Sequence, residues 1–237
     1  VTWNDVTGNL DLKGMGIWTL AIHHENPNIV YIGTGAYIRP SGISVDESGV
    51  IFKTSNGGQS WEQMDIGNKG RFISSIVIDP VNPEVVYATT ALLDACKADS
   101  NNQLAGVFKT TDGGQTWIEA NNGLLHHAVH RLVIDPTDHN TLFVGTGCVG
   151  LPDLEEGNIF KSTNAGETWT QIINSPDHSI GPIVFDPNDL NTMYAAGYYS
   201  FYKSEDHGEK WDAIYPPGQS GHYEGAAYHF PYQIIVH

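Results

Sequence analysis

Four copies of one eight-residue pattern constrain this chain more than any other feature. They read Thr54-Ser-Asn-Gly-Gly-Gln-Ser-Trp61, Thr110-Thr-Asp-Gly-Gly-Gln-Thr-Trp117, Ser162-Thr-Asn-Ala-Gly-Glu-Thr-Trp169 and Ser204-Glu-Asp-His-Gly-Glu-Lys-Trp211. Their tryptophans are spaced by 56, 52 and 42 residues, a period in the range of one propeller blade. Asn56, Asp112, Asn164 and Asp206 stand third in each box, where a short polar side chain folds onto its own turn. Gly58, Gly114, Gly166 and Gly208 stand fifth, where a positive φ is tolerated. An alternating segment such as Val107-Phe-Lys-Thr110 precedes the box and a tryptophan closes it, which predicts a hairpin with Trp61, Trp117, Trp169 and Trp211 packed on the sheet.

Upstream of each box lies a second shared pattern, clearest in Ile76-Val-Ile-Asp-Pro-Val-Asn-Pro-Glu-Val-Val-Tyr87 and repeated around 20–31, 132–143 and 183–194. Two short apolar strands flank a Pro/Asn/Asp turn, so each repeat supplies four antiparallel strands. His23 takes the turn position that Asp79, Asp135 and Asp186 hold elsewhere and reads as a variant of that turn. The expectation is an all-β propeller over 1–237, with blades at about 17–66, 72–122, 129–174 and 180–215. The opening Val-Thr-Trp-Asn-Asp resembles the stretch after the second box, so residues 1–10 read as the outer strand of a blade. Residues 222–237 supply two more strands of that fifth blade, or the chain is part of a larger propeller.

Charge narrows the partners. With 27 acidic residues against 11 Lys plus Arg, a formal charge of -16 opposes nucleic acid and anionic membranes. No apolar run approaches the roughly 18–20 residues of a membrane-spanning helix. Cys96 and Cys148 are too few for a disulfide framework and are either free or bridged to each other.

The boxes resemble the Asp-box, or BNR, repeat, with its Ser-x-Asp-x-Gly-x-Thr-Trp consensus, and the resemblance covers nearly the whole chain. That repeat occurs in sialidases, xyloglucanase-type glycoside hydrolases, sortilin-like receptors and photosystem II assembly factors, so the fold does not decide the function. The run Gly16-Ile-Trp-Thr-Leu-Ala-Ile-His-His-Glu-Asn-Pro-Asn-Ile-Val-Tyr-Ile-Gly-Thr34 is most similar to the first blade of the xyloglucanase type. There the resemblance implies a catalytic aspartate after the second strand, in Thr-Asp-Val-Gly-Gly, and this chain has Thr34-Gly35-Ala36 instead. The partner acid of that family comes from a second propeller. Sialidase chemistry asks for three arginines, and Arg39, Arg71 and Arg131 stand at unequal offsets in the repeat. A photosystem assembly role asks for a cationic patch, against the charge of this chain.

The resemblance places the boxes on one rim as structural elements and ligands on the opposite rim. That rim would carry the candidate acids Asp94, Asp153 and Glu155, with Asp46, Glu47, Asp99 and Glu156, and two of them at about 5–10 Å would serve glycoside hydrolysis. Calcium is a further expectation for these oxygen-rich loops. His126, His127 and His130 are the metal candidates. Tyr37, Asp46, Tyr198, Tyr199 and Tyr223, with Trp18 beside them, suit sugar recognition, rings against apolar sugar faces and polar groups against hydroxyls. The expected function is an extracytoplasmic, non-catalytic propeller that binds a polysaccharide or protein. A glycoside hydrolase is the alternative, and association through an open blade edge is an added expectation.

Overall fold

The computed structural model describes residues 2–12, 14–35, 49–67, 72–91, 105–125, 128–147, 157–174, 179–197 and 200–214. Among them the chain is all β, in four sheets of four antiparallel strands paired in sequence order. Blade 1 is β1 (Gly16–Ile22), β2 (Val30–Gly35), β3 (Ile51–Thr54) and β4 (Glu62–Met64). Blade 2 is β5 (Phe72–Ile78), β6 (Val86–Ala91), β7 (Gly106–Thr110) and β8 (Ile118–Glu119). Blade 3 is β9 (Val129–Ile134), β10 (Leu142–Thr146), β11 (Asn158–Ser162) and β12 (Thr170–Asn174). Blade 4 is β13 (Ile180–Phe185), β14 (Met193–Gly197), β15 (Phe201–Ser204) and β16 (Asp212–Ile214). These are the blades of a β-propeller fold. Blades 1 and 2 belong to one compact unit, blades 3 and 4 to another. No helix among the described residues is long and apolar enough to cross a membrane.

Each box closes through one repeated set of hydrogen bonds. In box 2 the Thr110 hydroxyl accepts the Gly114 N–H at 3.0 Å and donates to Asp112 Oδ1 at 2.7 Å, and the same oxygen accepts the Thr116 N–H at 2.9 Å. Thr54–Asn56, Ser162–Asn164 and Ser204–Asp206 repeat that geometry. Hydrogen bonds from the Thr116 hydroxyl and N–H, and from the Thr110 hydroxyl, draw the Asp112 carboxyl down to about 2.

The fourth box position is left-handed as well as the fifth. Gly57 and Gly113 have φ of 69°, and Ala165 (55°) and His207 (60°) hold that conformation despite a Cβ. The reason is a tie to the first turn of the same blade: the fourth-position N–H donates to the carbonyls of Asn28, Glu84, Asn140 and Asn191 at 2.8–3.0 Å.

His23 is the turn variant that its position suggests. Its Nδ1 accepts the N–H groups of Glu25 and Asn26 at 3.1 Å, where Asp79 Oδ1 accepts those of Val81 and Asn82 at 2.8 and 3.0 Å.

Blades within a unit meet through shared cores. One core joins Tyr31 and Ile51 of blade 1 to Ile73, Ile76 and Val86 of blade 2, and another joins Phe143 and Ile159 to Ile180 and Ile183. Polar contacts line the same seams. The Tyr31 hydroxyl and Lys53 ammonium both donate to the Gly113 carbonyl, at 2.9 and 2.8 Å. Phe143 lacks that hydroxyl, and in its seam Lys161 donates to Glu209 at 2.5 Å while His207 pairs with Asp135. Burial alone would raise the Asp135 carboxyl, but donors from Thr137 and His207 outweigh it and hold the group below its ordinary range.

Candidate functional site

The end of each blade opposite its box carries a recurring irregularity in the first strand. The pairing of β1 with β2 shifts between Ile17 and Thr19, that of β5 with β6 between Ile73 and Ser75, and Ile180/Ile183 marks the same break in blade 4. In blade 3 Arg131 and Val129 face Gly145 and Thr146, which leaves His130 as the extra residue. A bulge re-aims one side chain and locally ends the alternation. Trp18, Ser74 and His130 therefore occupy one repeat position, five residues before the turn-opening His23, Asp79 and Asp135.

At this position blades 1 and 3 differ in chemistry. In the first, Trp18 lies over Phe72 with ring centroids 4.9 Å apart and planes inclined by 33°. Gly35, at the end of β2, is pressed beneath them. A Cβ built on it would stand 2.2 Å from the Phe72 Cβ, 2.9 Å from the Phe72 Cα and 3.1 Å from Trp18 Nε1. Trp18 and the adjacent Ile17 are both exposed, so an indole with an aromatic support is open to solvent. Thr34, fully buried one residue earlier, fixes the strand end by donating its hydroxyl to the Val50 carbonyl (3.0 Å) and accepting the Val50 N–H (2.9 Å).

In blade 3 the same position is a histidine. His130 Nε2 lies 2.8 Å from the Gly147 carbonyl, which can only accept, so Nε2 carries the proton. Gly147 bridges to Ser179, whose buried hydroxyl has no hydrogen-bond partner among the described residues. Burial holds the His130 imidazolium down to about 4, against help from the Gly147 carbonyl. Burial also lowers the neighbouring Arg131 guanidinium.

A pH dependence follows from His130. From its ordinary 6.5 down to about 4, the unfolded chain binds a proton that the folded chain refuses. Stability contributed by neutral His130 is thus complete above pH 6.5 and is lost as pH falls toward 4, on the order of 3 kcal/mol. Urea titrations at pH 7 and 4.5 on the parent and on His130→Gln should show the parent losing more; equal losses would remove His130 as the cause.

Many residues singled out from the sequence lie outside the described residues: Tyr37, Asp46, Asp94, Asp153, Glu155, Tyr198, Tyr199, Tyr223, His126, His127, Arg39, Arg71, Cys96 and Cys148. Among the described residues no group of three or more His, Cys, Asp or Glu side chains is placed to hold a metal ion. The bulge went unnoticed in the sequence because one added residue in a seven-residue strand hardly disturbs its apolar pattern.

Fold and rim together define a β-propeller protein of four-stranded blades with a bulged, aromatic-bearing end. No family model matches the chain. It is similar to the xyloglucanase Xgh74A of Acetivibrio thermocellus, 27% identical over 176 residues, which are 65% of this chain and 19% of that protein. The chain thus spans about a fifth of the length of the curated relatives it matches. Among solved structures, an ancestral GH74 enzyme aligns with a TM-score of 0.62 at 20% identity, over 86% of this chain and 25% of that one. A chain of the nidogen/laminin complex aligns with a TM-score of 0.57 at 14% identity, over 86% and 66%. The likeness is to xyloglucanase-type propellers in sequence, and to propellers of several kinds in fold.

Proposed function

We propose that this chain is a glycan-binding portion of an extracytoplasmic Asp-box propeller, recognising a β-glucan such as xyloglucan through its aromatic rim without cleaving it. One observation carries the reading. Where the xyloglucanase resemblance calls for a catalytic aspartate, Gly35 lies under Phe72 and Trp18, which leave no room for a side chain. An acid there could act only after Phe72 moved. What replaces it is an exposed indole braced by a second ring, and such a surface packs against the apolar face of a pyranose while amides and acids take the hydroxyls. The relatives named as xyloglucanases support the glycan class, and the short span of the match supports a role within a longer protein.

Calorimetric titration with xyloglucan oligosaccharides, alongside reducing-end release from the polymer, tests the reading. Binding without release is expected, and Trp18→Ala should weaken it about tenfold or more, roughly the worth of one stacking contact. Unchanged binding in that variant would remove Trp18 from the site. Hydrolysis by the parent chain would instead favour the second reading, a xyloglucan-cleaving enzyme using other acids, which the named relatives themselves suggest.

A further inference from the structure

The chain holds two Asn-Gly pairs, Asn56-Gly57 in the first box and Asn122-Gly123 in the link after β8. Such a pair is chemically labile, because the glycine nitrogen, unshielded by a neighbouring side chain, can attack the asparagine side-chain amide. The two pairs differ at every atom that this reaction uses.

At Asn56 those atoms are held. Its Oδ1 accepts the Thr54 hydroxyl and the Ser60 N–H, both at 2.9 Å, and its Nδ2 donates to the Ser60 hydroxyl at 2.8 Å. The Gly57 N–H donates to the Asn28 carbonyl at 3.0 Å. Ring closure there must break hydrogen bonds of both the electrophile and the nucleophile.

At Asn122 the same atoms are open. The Leu124 N–H donates to the Asn121 carbonyl at 3.0 Å, and Gly123, at a φ of 94°, takes the third position of a type II turn. Asn122 and Gly123 are both exposed, and among the described residues neither the Asn122 side-chain amide nor the Gly123 N–H has a hydrogen bond. Trp169 orients the nitrogen without covering it. Its N–H holds the Asn122 carbonyl at 2.8 Å, and in a trans peptide the following N–H points the opposite way, here toward solvent.

We propose that Asn122 is a site of spontaneous deamidation, and that its isoaspartate product unfastens the link from Trp169. The Gly123 nitrogen gives its proton to solvent base and bonds to Asn122 Cγ; the Cγ–Nδ2 bond breaks, and ammonia leaves after taking a proton from water. Water then opens the succinimide at either carbonyl, giving aspartate or isoaspartate. Aspartate keeps the backbone. Isoaspartate runs the chain through Cβ and Cγ, which adds a methylene to the backbone and turns the Asn122 carbonyl into a free carboxylate. Gly123 then loses its seat on Trp169, where even a Cβ would come within 2.2 Å of the carbonyl oxygen.

Peptide mapping of the folded chain, aged in mildly alkaline buffer and digested in acid, tests this. Asn122 should convert at least about ten times faster than Asn56, the ratio expected when ring closure at one site must break hydrogen bonds that the other lacks. In concentrated urea the two rates should converge, since both pairs then lie in open chain. The isoaspartate form should melt below the unaged parent, whereas Asn122→Gln aged alike, and Asn122→Asp unaged, should melt with it. Equal native rates would overturn the proposal, as would an Asn122 rate that rises about tenfold in urea, because the fold would then shield that site. Selectivity that persists in urea would belong to the local sequence and would equally overturn it. An isoaspartate form that melts with the parent would overturn the unfastening of Trp169.

Discussion

Replacing Gly35 with aspartate is expected to destabilise the protein by about 4 kcal/mol and to create no glycosidic cleavage. The new Cβ would fall 2.2 Å from the Phe72 Cβ and 2.9 Å from its Cα. Neither atom is the tip of a side chain that can swing aside, so β5 itself must shift against blade 1. The carboxylate would also enter a space bounded by two rings with no cation described beside it. A double-mutant cycle locates the strain. Phe72→Gly removes the nearest atom, and its coupling with Gly35→Asp should exceed about 1 kcal/mol. Thermal melts of the four proteins give the answer. If Gly35→Asp melts with the parent, the packing argument against an acid at this position fails. If it releases reducing ends from xyloglucan, the argument that an acid at this position cannot act beneath Phe72 fails with it.

The box turns were legible because their chemistry is local. A hydroxyl at the first position, an Asx oxygen at the third and a glycine at the fifth close the turn with groups that lie within seven residues. The same holds for the first turn of each blade, where His23 could be recognised as standing in for an aspartate. What escaped was non-local. The left-handed fourth position is imposed from a turn many residues upstream, so Ala165 and His207 give no sign of it in their own neighbourhood. Trp18 stood beside the candidate sugar-binding residues in the sequence, but Phe72, the ring it lies over, is remote from it along the chain. Gly35 marked an absence of the expected acid from sequence alone, but only Phe72 explains why nothing larger stands there.

The tryptophans behave less uniformly than their common position suggests, and the largest loss in that set is expected at Trp169→Ala, about 3–5 kcal/mol. Trp169 is buried, whereas Trp61, Trp117 and Trp211 are half-buried. Its backbone also holds the incoming link: the Trp169 N–H donates to the Asn122 carbonyl at 2.8 Å, and Gly123 fits against the Trp169 carbonyl where a Cβ would come within 2.2 Å. Removing the indole leaves a cavity beneath a segment that cannot collapse into it without losing that fit. Trp117 and Trp211 instead donate their indole N–H to the carbonyls of Gly114 and Gly208 in their own boxes, at 3.0 and 3.1 Å, and Trp61 donates to Val6 at 3.0 Å. Those half-exposed rings contribute mainly one hydrogen bond and part of their area, so their alanine variants should cost about 1–2 kcal/mol. Urea unfolding of all four variants separates the cases. Equal losses would mean that the boxes share one energetic role; a loss concentrated at Trp169 would mean that the box tryptophan matters most where a link between blades is folded onto it.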